Sequence, residues 1–224
     1  MQFYDQLLQF PLFQGLNRNE LLQMAGQTKF GFQKLAEGKS VVREGDSCHQ
    51  LFLLTKGQLT IIQHSDDHAY SVVEQVHAPW LVQPEVLFGS QTRYTLTAQA
   101  TTEVHLMTLS KDEMLKLMND FLIIRLNMLN LLSAQVQRRS HLPWRRVPQT
   151  LHERIIRFLL DHCVYPAGAK EFRILMQRLA DEVGYSRLDV SRELNKMKAA
   201  GLIALHRGRI EIPSIERLCQ TEPL

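Results

Sequence analysis

From Ser110 onward the chain runs roughly thirty residues without a glycine or a proline, until Pro143, and apolar side chains recur through the run at steps of three and four. At 1.5 Å per residue that is about 45 Å of helix. Ser110-Lys111-Asp112-Glu113 opens it as a capping box, in which the serine side chain takes an orphan N–H and Glu113 reaches back. Leu115, Met118, Leu122, Leu126, Leu129, Leu132 and Val136 make one stripe, spaced like a coiled-coil seam. Phe121, Ile124, Met128 and Leu131 make a second beside it. A helix packed on one side needs only one stripe. Two predict that one face covers a neighbouring domain and the other meets a second copy of the chain; the alternative is a single helix buried all round in a larger core. LPWRRVP, with Pro143 and Pro148, ends the helix and marks a hinge over residues 143–147.

Before the helix, from about Lys29 to Leu109, the text consists of short runs rich in β-branched residues and punctuated by glycine: FGFQKL, SVVRE, QLFLL, QLTIIQH, YSVVEQV and YTLTAQATTEVHLMTL. Alternation with turn residues every 8–12 positions predicts an antiparallel sandwich or roll. Gly45-Asp46 and Lys56-Gly57 read as hairpin turns, where glycine supplies a positive φ.

After the hinge, Thr150-Leu-His-Glu153 is a second capping box, opening a helix with Ile155, Ile156, Leu159 and Leu160 on one side, which Pro166 and Gly168 end. A helix-turn-helix follows. Its first helix stops at Gly184, its second starts at Ser186 with Asp189 and ends at Gly201, and an LIAL-HRGR-IEI hairpin closes the unit with Gly208 at its turn. On the second helix Val190, Leu194 and Met197 cluster within about 60° and face a core, while Leu188, Arg192, Asn195 and Lys196 project the other way. Most charged helix faces only meet water. A capped helix with this outer face, followed by a basic hairpin, suits a DNA major groove, where arginine pairs with guanine and apolar groups touch the thymine methyl. Arg187 and Arg192 are candidates for base edges or adjacent phosphates, Leu188 for an apolar base contact and Ser186 for a phosphate at the helix N-terminus. Gln177 and Arg178 are candidates for anchoring the backbone, and Arg207 and Arg209 for wing contacts.

The charge distribution agrees. Residues 1–143 carry 12 Lys and Arg against 13 Asp and Glu, whereas residues 144–224 carry 14 against 10, so the whole net charge of +3 lies in the last third. Cys48, Cys163 and Cys219 are too scattered for a zinc site or a disulfide network, and too few for the four ligands of an iron–sulfur cluster. None of the nine histidines shows a spacing that defines a haem or metal site. GxSxG, P-loop, HExxH and GxGxxG patterns are absent, so an enzyme is not expected. With no secretory leader pattern and no stretch of 18 apolar residues, a cytoplasmic protein without a membrane partner is expected.

Over nearly its full length the chain resembles the Crp/Fnr superfamily of transcription regulators, in PLFQGLNRNELLQMA, in the roll motif GKSVVREGDSCHQLFLLTKGQLTI and, most specifically, in LADEVGYSRLDVSRELNKMKAAGLI. The resemblance implies a cyclic-nucleotide-binding-type β-roll, a dimerising helix, a winged helix-turn-helix on palindromic double-stranded DNA, and RNA polymerase as a further partner. The corresponding effector segment is PEVLFGSQTRYTLTAQA, which places Glu85, Arg93, Tyr94 and Thr95 at the pocket. Cyclic-nucleotide-binding members have a glycine before this glutamate and a serine or threonine after the arginine. Here Pro84 and Tyr94 stand there, and Pro143-Trp144 follows the helix where a purine-binding polar pair is expected. Proline removes a backbone donor that a phosphate cradle uses. A cyclic nucleotide is therefore disfavoured against an unidentified effector or none, no cofactor is implied, and Glu85 and Arg93 have an internal ion pair as their structural alternative. Leu188 stands where cyclic-AMP-responsive members carry a base-reading glutamate, so their target triplet does not transfer.

The expected architecture is α+β: a β-roll over 1–110, the long dimerisation helix over 111–142, with Leu115, Leu122, Leu126, Leu129, Leu132 and Val136 at the seam, the hinge, and a winged helix-turn-helix domain over 148–224. The expected function is that of a homodimeric sequence-specific regulator of transcription. Its competitor is a cyclic-nucleotide-binding module whose C-terminal helices dock onto another protein.

Overall fold

In the computed structural model, which describes residues 3–165 and 167–220, the chain begins with α1 (Phe3–Leu7) and α2 (Arg18–Gln27). Strands β1 (Gly31–Leu35), β2 (Ser40–Val42), β3 (Gln50–Lys56), β4 (Gln58–His64), β5 (Ser71–His77), β6 (Trp80–Val82), β7 (Thr97–Ala100) and β8 (Val104–Ser110) follow. Then come α3 (Lys111–Asp120), α4 (Leu122–His141), α5 (Leu151–Asp161), β9 (Lys170–Arg173), α6 (Met176–Val183), α7 (Arg187–Ala199), β10 (Ala204–His206), β11 (Arg209–Ile212) and α8 (Ile215–Cys219). Pro166 and the last four residues of the expected C-terminal domain lie outside the described residues. The chain divides into two compact units, residues 1–59 with 77–145 and residues 60–76 with 146–224.

The first unit is built on an antiparallel sheet of order β1-β8-β3-β6. One of its two central strands, β3, buries Leu51, Phe52, Leu53 and Leu54 in succession, so it is covered on both faces rather than alternating. Lys56-Gly57 is not a hairpin turn. β3 pairs with β6 and β8, while β4 belongs to the other sheet, and Gly57 turns the corner at φ 95°. A Cβ there would sit 2.5 Å from the Glu103 carbonyl oxygen, so glycine is required by space as well as by φ.

The long helical run is broken once. Ser110 caps α3 by accepting from the Glu113 N–H (3.2 Å), but Glu113 does not reach back; its carboxylate accepts from the Lys29 N–H (3.0 Å) instead. At Phe121 the backbone is extended, φ −124° and ψ 104°, and the phenyl ring is buried. Ending a helix orphans its last carbonyls. Arg125 meets two of them, its Nε donating to Met118 O (2.7 Å) and its Nη2 to Asn119 O (3.3 Å). α4 then buries Ile124 and Met128, and Asn127 Nδ2 donates to the Leu12 and Gln14 carbonyls (3.1 and 2.8 Å), fixing α4 on the N-terminal segment.

In the second unit the strands run β10-β11-β9-β5-β4. β10 and β11 are the expected wing, turning at Arg207-Gly208 with Gly208 at φ 70°. β9, the segment Lys170–Arg173, is too short to carry a strand pattern of its own in the sequence; it sits between β11 and β5, with Val72 opposite Phe172. The core collects Ile155, Ile156 and Leu159 from α5, Leu179 and Val183 from α6, Val190, Leu194 and Met197 from α7, Ile210 and Ile212 from the wing, and Val72 from β5. At the start of α5 the capping box is complete. Thr150 Oγ1 accepts from the Glu153 N–H (3.2 Å) and Glu153 accepts from the Thr150 N–H (3.4 Å). Backbone N–H donation, chiefly from Gln149, holds the Glu153 carboxyl below the usual carboxylate range. A depressed carboxylate contributes stability above its unfolded-state value and loses it as pH falls through its folded-state value. Thr150→Ala is expected to lower the stability of this unit by about 1 kcal/mol, read from the urea unfolding midpoint.

Candidate functional site

The turn between α6 and α7 is made by Gly184, left-handed at φ 73°, whose N–H closes on the Ala180 carbonyl (2.9 Å). Ser186 then starts α7, its hydroxyl accepting from the Asp189 N–H (3.1 Å) and donating to Asp189 Oδ2 (2.6 Å). The Ser186 side chain is thus already engaged as a cap. Val190, Leu194 and Met197 are fully buried, and this places Arg187, Leu188, Arg192, Asn195 and Lys196 on the exposed side of the same helix. Leu188 is 60% exposed, a large apolar side chain at the open end of a polar face.

The cations of the site are held to different degrees. Arg192 sits 3.6 Å from Asp189 with a side chain 67% exposed, and Lys196 reaches Glu193 (3.0 Å) while 75% exposed. An exposed helical pair such as Arg192–Asp189 is worth only about 0.3–0.5 kcal/mol, and the Lys196 head stays open to solvent although Glu193 is largely covered, so both cations remain available to a polyanion. Asn195 donates to the Ser191 carbonyl (2.8 Å) and Gln177 to Asp181 (2.9 Å). Arg187 and Arg207 are exposed and make no ion pair among the described residues. Arg209 instead turns onto its own sheet, between Glu211 (3.0 Å) and Glu171 (3.6 Å). Arg178 is bound by Asp67 (2.9 Å) and Glu182 (2.8 Å).

The expected effector residues all lie in the first unit, and Glu85 and Arg93 do not form the alternative ion pair. Glu85, in a short 3-10 turn after Gln83, accepts from Gln135 Nε2 of α4 (3.3 Å), whereas Arg93 Nη1 donates to the Gly45 carbonyl (2.7 Å). Tyr94 is buried, donates to the Gln50 carbonyl (3.1 Å), and has its hydroxyl pKa pushed up by that burial. Thr95 is clasped by Gln83, which accepts from its N–H (3.0 Å) and donates to its hydroxyl (2.7 Å). Gln83 is left-handed at φ 36° ahead of Pro84. On α4 the second apolar stripe is the one that packs inward, with Phe121, Ile124 and Met128 buried, whereas α3 packs through Met114 and Leu117, which belong to neither stripe. Leu115, Leu122, Leu126, Leu129 and Val136 stay 44–65% exposed, and Leu132 is half-buried.

Residues 32–121 match the cyclic nucleotide-binding domain family, and residues 153–221 match the Crp-like helix-turn-helix domain family. The chain belongs to the Crp/Fnr superfamily. Two curated relatives of this Crp/Fnr-type transcription regulator cover most of both chains: a global nitrogen regulator of Synechococcus elongatus, 24% identical over 88% of this chain and 94% of that one, and the nitrogen fixation regulation protein FixK of Rhizobium meliloti, 28% identical over 81% and 82%. In fold it is similar to the catabolite activator protein of Thermus thermophilus, with a TM-score of 0.54 at 21% identity, covering 94% of this chain and 97% of that one. Among the described residues no helix is long and apolar enough to cross a membrane.

Sequence reasoning missed two sets of residues in this Crp/Fnr regulator. Gln135, a polar side chain among the apolar stripes of α4, ties Glu85 to the helix. Asp67 and Tyr70, before β5, engage Arg178 of the helix-turn-helix: Tyr70 stacks beneath the guanidinium at 5.7 Å. The first had a visible signal, a glutamine interrupting an apolar pattern. The second depends on strand pairing between segments a hundred residues apart, which local pattern does not carry.

Proposed function

We propose that this regulator acts as a homodimer, joined through the exposed leucine stripe of α4, and reads a palindromic DNA site by placing α7 of each copy in the major groove. The observation that carries the reading is the division of α7 into a fully buried face, Val190, Leu194 and Met197, and an open face bearing Arg187, Leu188, Arg192, Asn195 and Lys196. Two such helices about 34 Å apart meet successive major-groove turns. Ser186 and the α7 N-terminus, with Gln177 and Arg207, position the helix on phosphates. An effector near Glu85, Arg93, Tyr94 and Thr95 controls affinity, with 143–147 as the hinge and RNA polymerase as the partner through which occupancy affects transcription. Pro84 and the clasped Thr95 argue for an effector other than a cyclic nucleotide.

Arg192→Ala tests the DNA reading. Specific binding to a duplex selected by the protein from a randomised pool is expected to weaken by about 1–3 kcal/mol, with specificity relaxed at one position of each half-site. Unchanged binding across several salt concentrations would favour the competing view, in which the C-terminal helices dock onto a protein.

A further inference from the structure

Arg178 is the one candidate DNA anchor on the first helix of the helix-turn-helix whose guanidinium is already committed to anions. One of its carboxylates, Glu182, comes from a turn further along the same helix. The other, Asp67, comes from the Ser65–Tyr70 turn between β4 and β5, more than a hundred residues earlier in the chain. That turn is firmly built. The Ser65 N–H donates to the Tyr70 carbonyl (3.0 Å), and Asp67 Oδ1 accepts from Ser65 Oγ (2.7 Å) and from the Ala69 N–H (3.1 Å). These bonds, with Arg178, hold the Asp67 carboxyl below the usual carboxylate range and leave Oδ2 pointed at the guanidinium.

The turn is docked on the DNA-binding unit by three further contacts. Ser71 to Glu74 of β5 pair with Arg173 to Lys170 of β9, Tyr70 Oη bonds His162 Nε2 (2.9 Å), and Val72 belongs to the unit's core. The fit at Arg178 is nevertheless incomplete, because its Nε is buried and has no hydrogen-bond partner among the described residues. The two carboxylates engage Nη2 and leave the Nε–H open, so the guanidinium keeps donor capacity for a further acceptor.

The geometry points to Asp67 as a built-in mimic of a DNA phosphate, occupying the Arg178 guanidinium that the first helix of the helix-turn-helix otherwise presents to the duplex backbone, and so setting the affinity and salt dependence of operator binding. In helix-turn-helix domains the first helix crosses the backbone while the second enters the groove, so a cation in the first turn of α6 lies where a phosphate contact is made. A carboxylate and a phosphate oxygen compete for the same planar donor fork. Binding DNA then requires Arg178 to exchange Asp67 for phosphate, and the exchange releases no net counterion for that residue. This inference rests on the DNA-binding reading above.

The test uses the full-length chain, a duplex it selects from a randomised pool, and a scrambled duplex of equal length, each over a range of salt. In Asp67→Asn the carboxylate charge is removed at a half-exposed position, so the fold is retained. Affinity for both duplexes is expected to rise about two- to fivefold, and the slope of log K against log salt to steepen by about one, the signature of one added phosphate contact. Arg178→Ala should abolish that gain when combined with Asp67→Asn. A double variant that keeps the gain, or an Asp67→Asn slope equal to the wild-type slope, would overturn the proposal and leave the contact structural. Arg192→Ala, run in parallel, separates the two levels: if it loses specific binding while Asp67→Asn changes nothing, only the phosphate mimic fails. If no duplex is selected at all, the DNA-binding reading fails and the mimic falls with it.

Discussion

In Leu129→Arg the chain is expected to sediment as a single copy at micromolar concentration, and its affinity for a palindromic duplex to fall by roughly 10²–10⁴-fold. The size of the loss follows from linkage of two half-sites. When two recognition helices are joined, the second binds as an intramolecular event, and separating them removes that effective concentration without touching any DNA contact. Leu129 is half exposed and sits between Leu126 and Leu132 on the face of α4 that the first unit leaves uncovered. Burying a leucine against a partner is worth about 1.5–3 kcal/mol, and an arginine in its place sets a desolvated charge opposite its own image. A dimer that persists in analytical ultracentrifugation would place the interface elsewhere. Because Leu129 does not pack inside the unit, the variant should keep the wild-type circular dichroism spectrum, which distinguishes dissociation from unfolding.

The second large effect is expected at Glu74. Its carboxylate lies 2.7 Å from Lys170 Nζ, both side chains being essentially without solvent exposure, and it also accepts from the Val164 and Tyr165 N–H groups (2.6 and 3.0 Å). Lys170 in turn donates to the Ala167 carbonyl (2.8 Å) and lies 5.5 Å from the centre of the Tyr165 ring. The two groups fasten β5 to β9 and shape the connection from α5 into β9. Glu74→Ala strands a buried ammonium and removes the acceptor of two N–H groups, and is expected to destabilise the DNA-binding unit by about 3–5 kcal/mol. The paired substitution Glu74→Leu with Lys170→Met removes both charges at similar volume, and most of the loss should be recovered. Calorimetry measures both variants. Equal unfolding temperatures for Glu74→Ala and wild type would show that the pair contributes nothing net.

Much of this molecule was legible in local pattern, and the exceptions share a physical origin. The second helix of the helix-turn-helix was readable because its start, its buried stripe and its end are each local: Ser186 on the Asp189 N–H, Val190, Leu194 and Met197 at helical spacing, and Gly201 beyond the end at φ 69°. The Thr150 box is local in the same sense. The break at Phe121 was not readable, since phenylalanine and its neighbours are compatible with a continuing helix and the interruption is stabilised by burial of the ring and by Arg125 on the freed carbonyls. Lys56-Gly57 has the composition of a hairpin turn, yet its glycine is dictated by the approach of Glu103. The pairing of β5 with β9, and with it the capture of Arg178, is set by contacts across a hundred residues. The basic excess falls on the segment that matches the helix-turn-helix domain, but it includes Arg178 and Arg209, which carboxylates hold.

The joint at Phe121 has a further consequence for the proposed homodimer. It confines the regular part of the leucine stripe to α4, whose 20 residues span about 30 Å and hold fewer than three heptads. In the proposed homodimer, a seam of that length makes the population of paired chains depend on how many chains the cell contains. Operator occupancy at low copy number is therefore expected to rise more steeply than in proportion to expression, so that gene dosage becomes an input to the circuit alongside any effector.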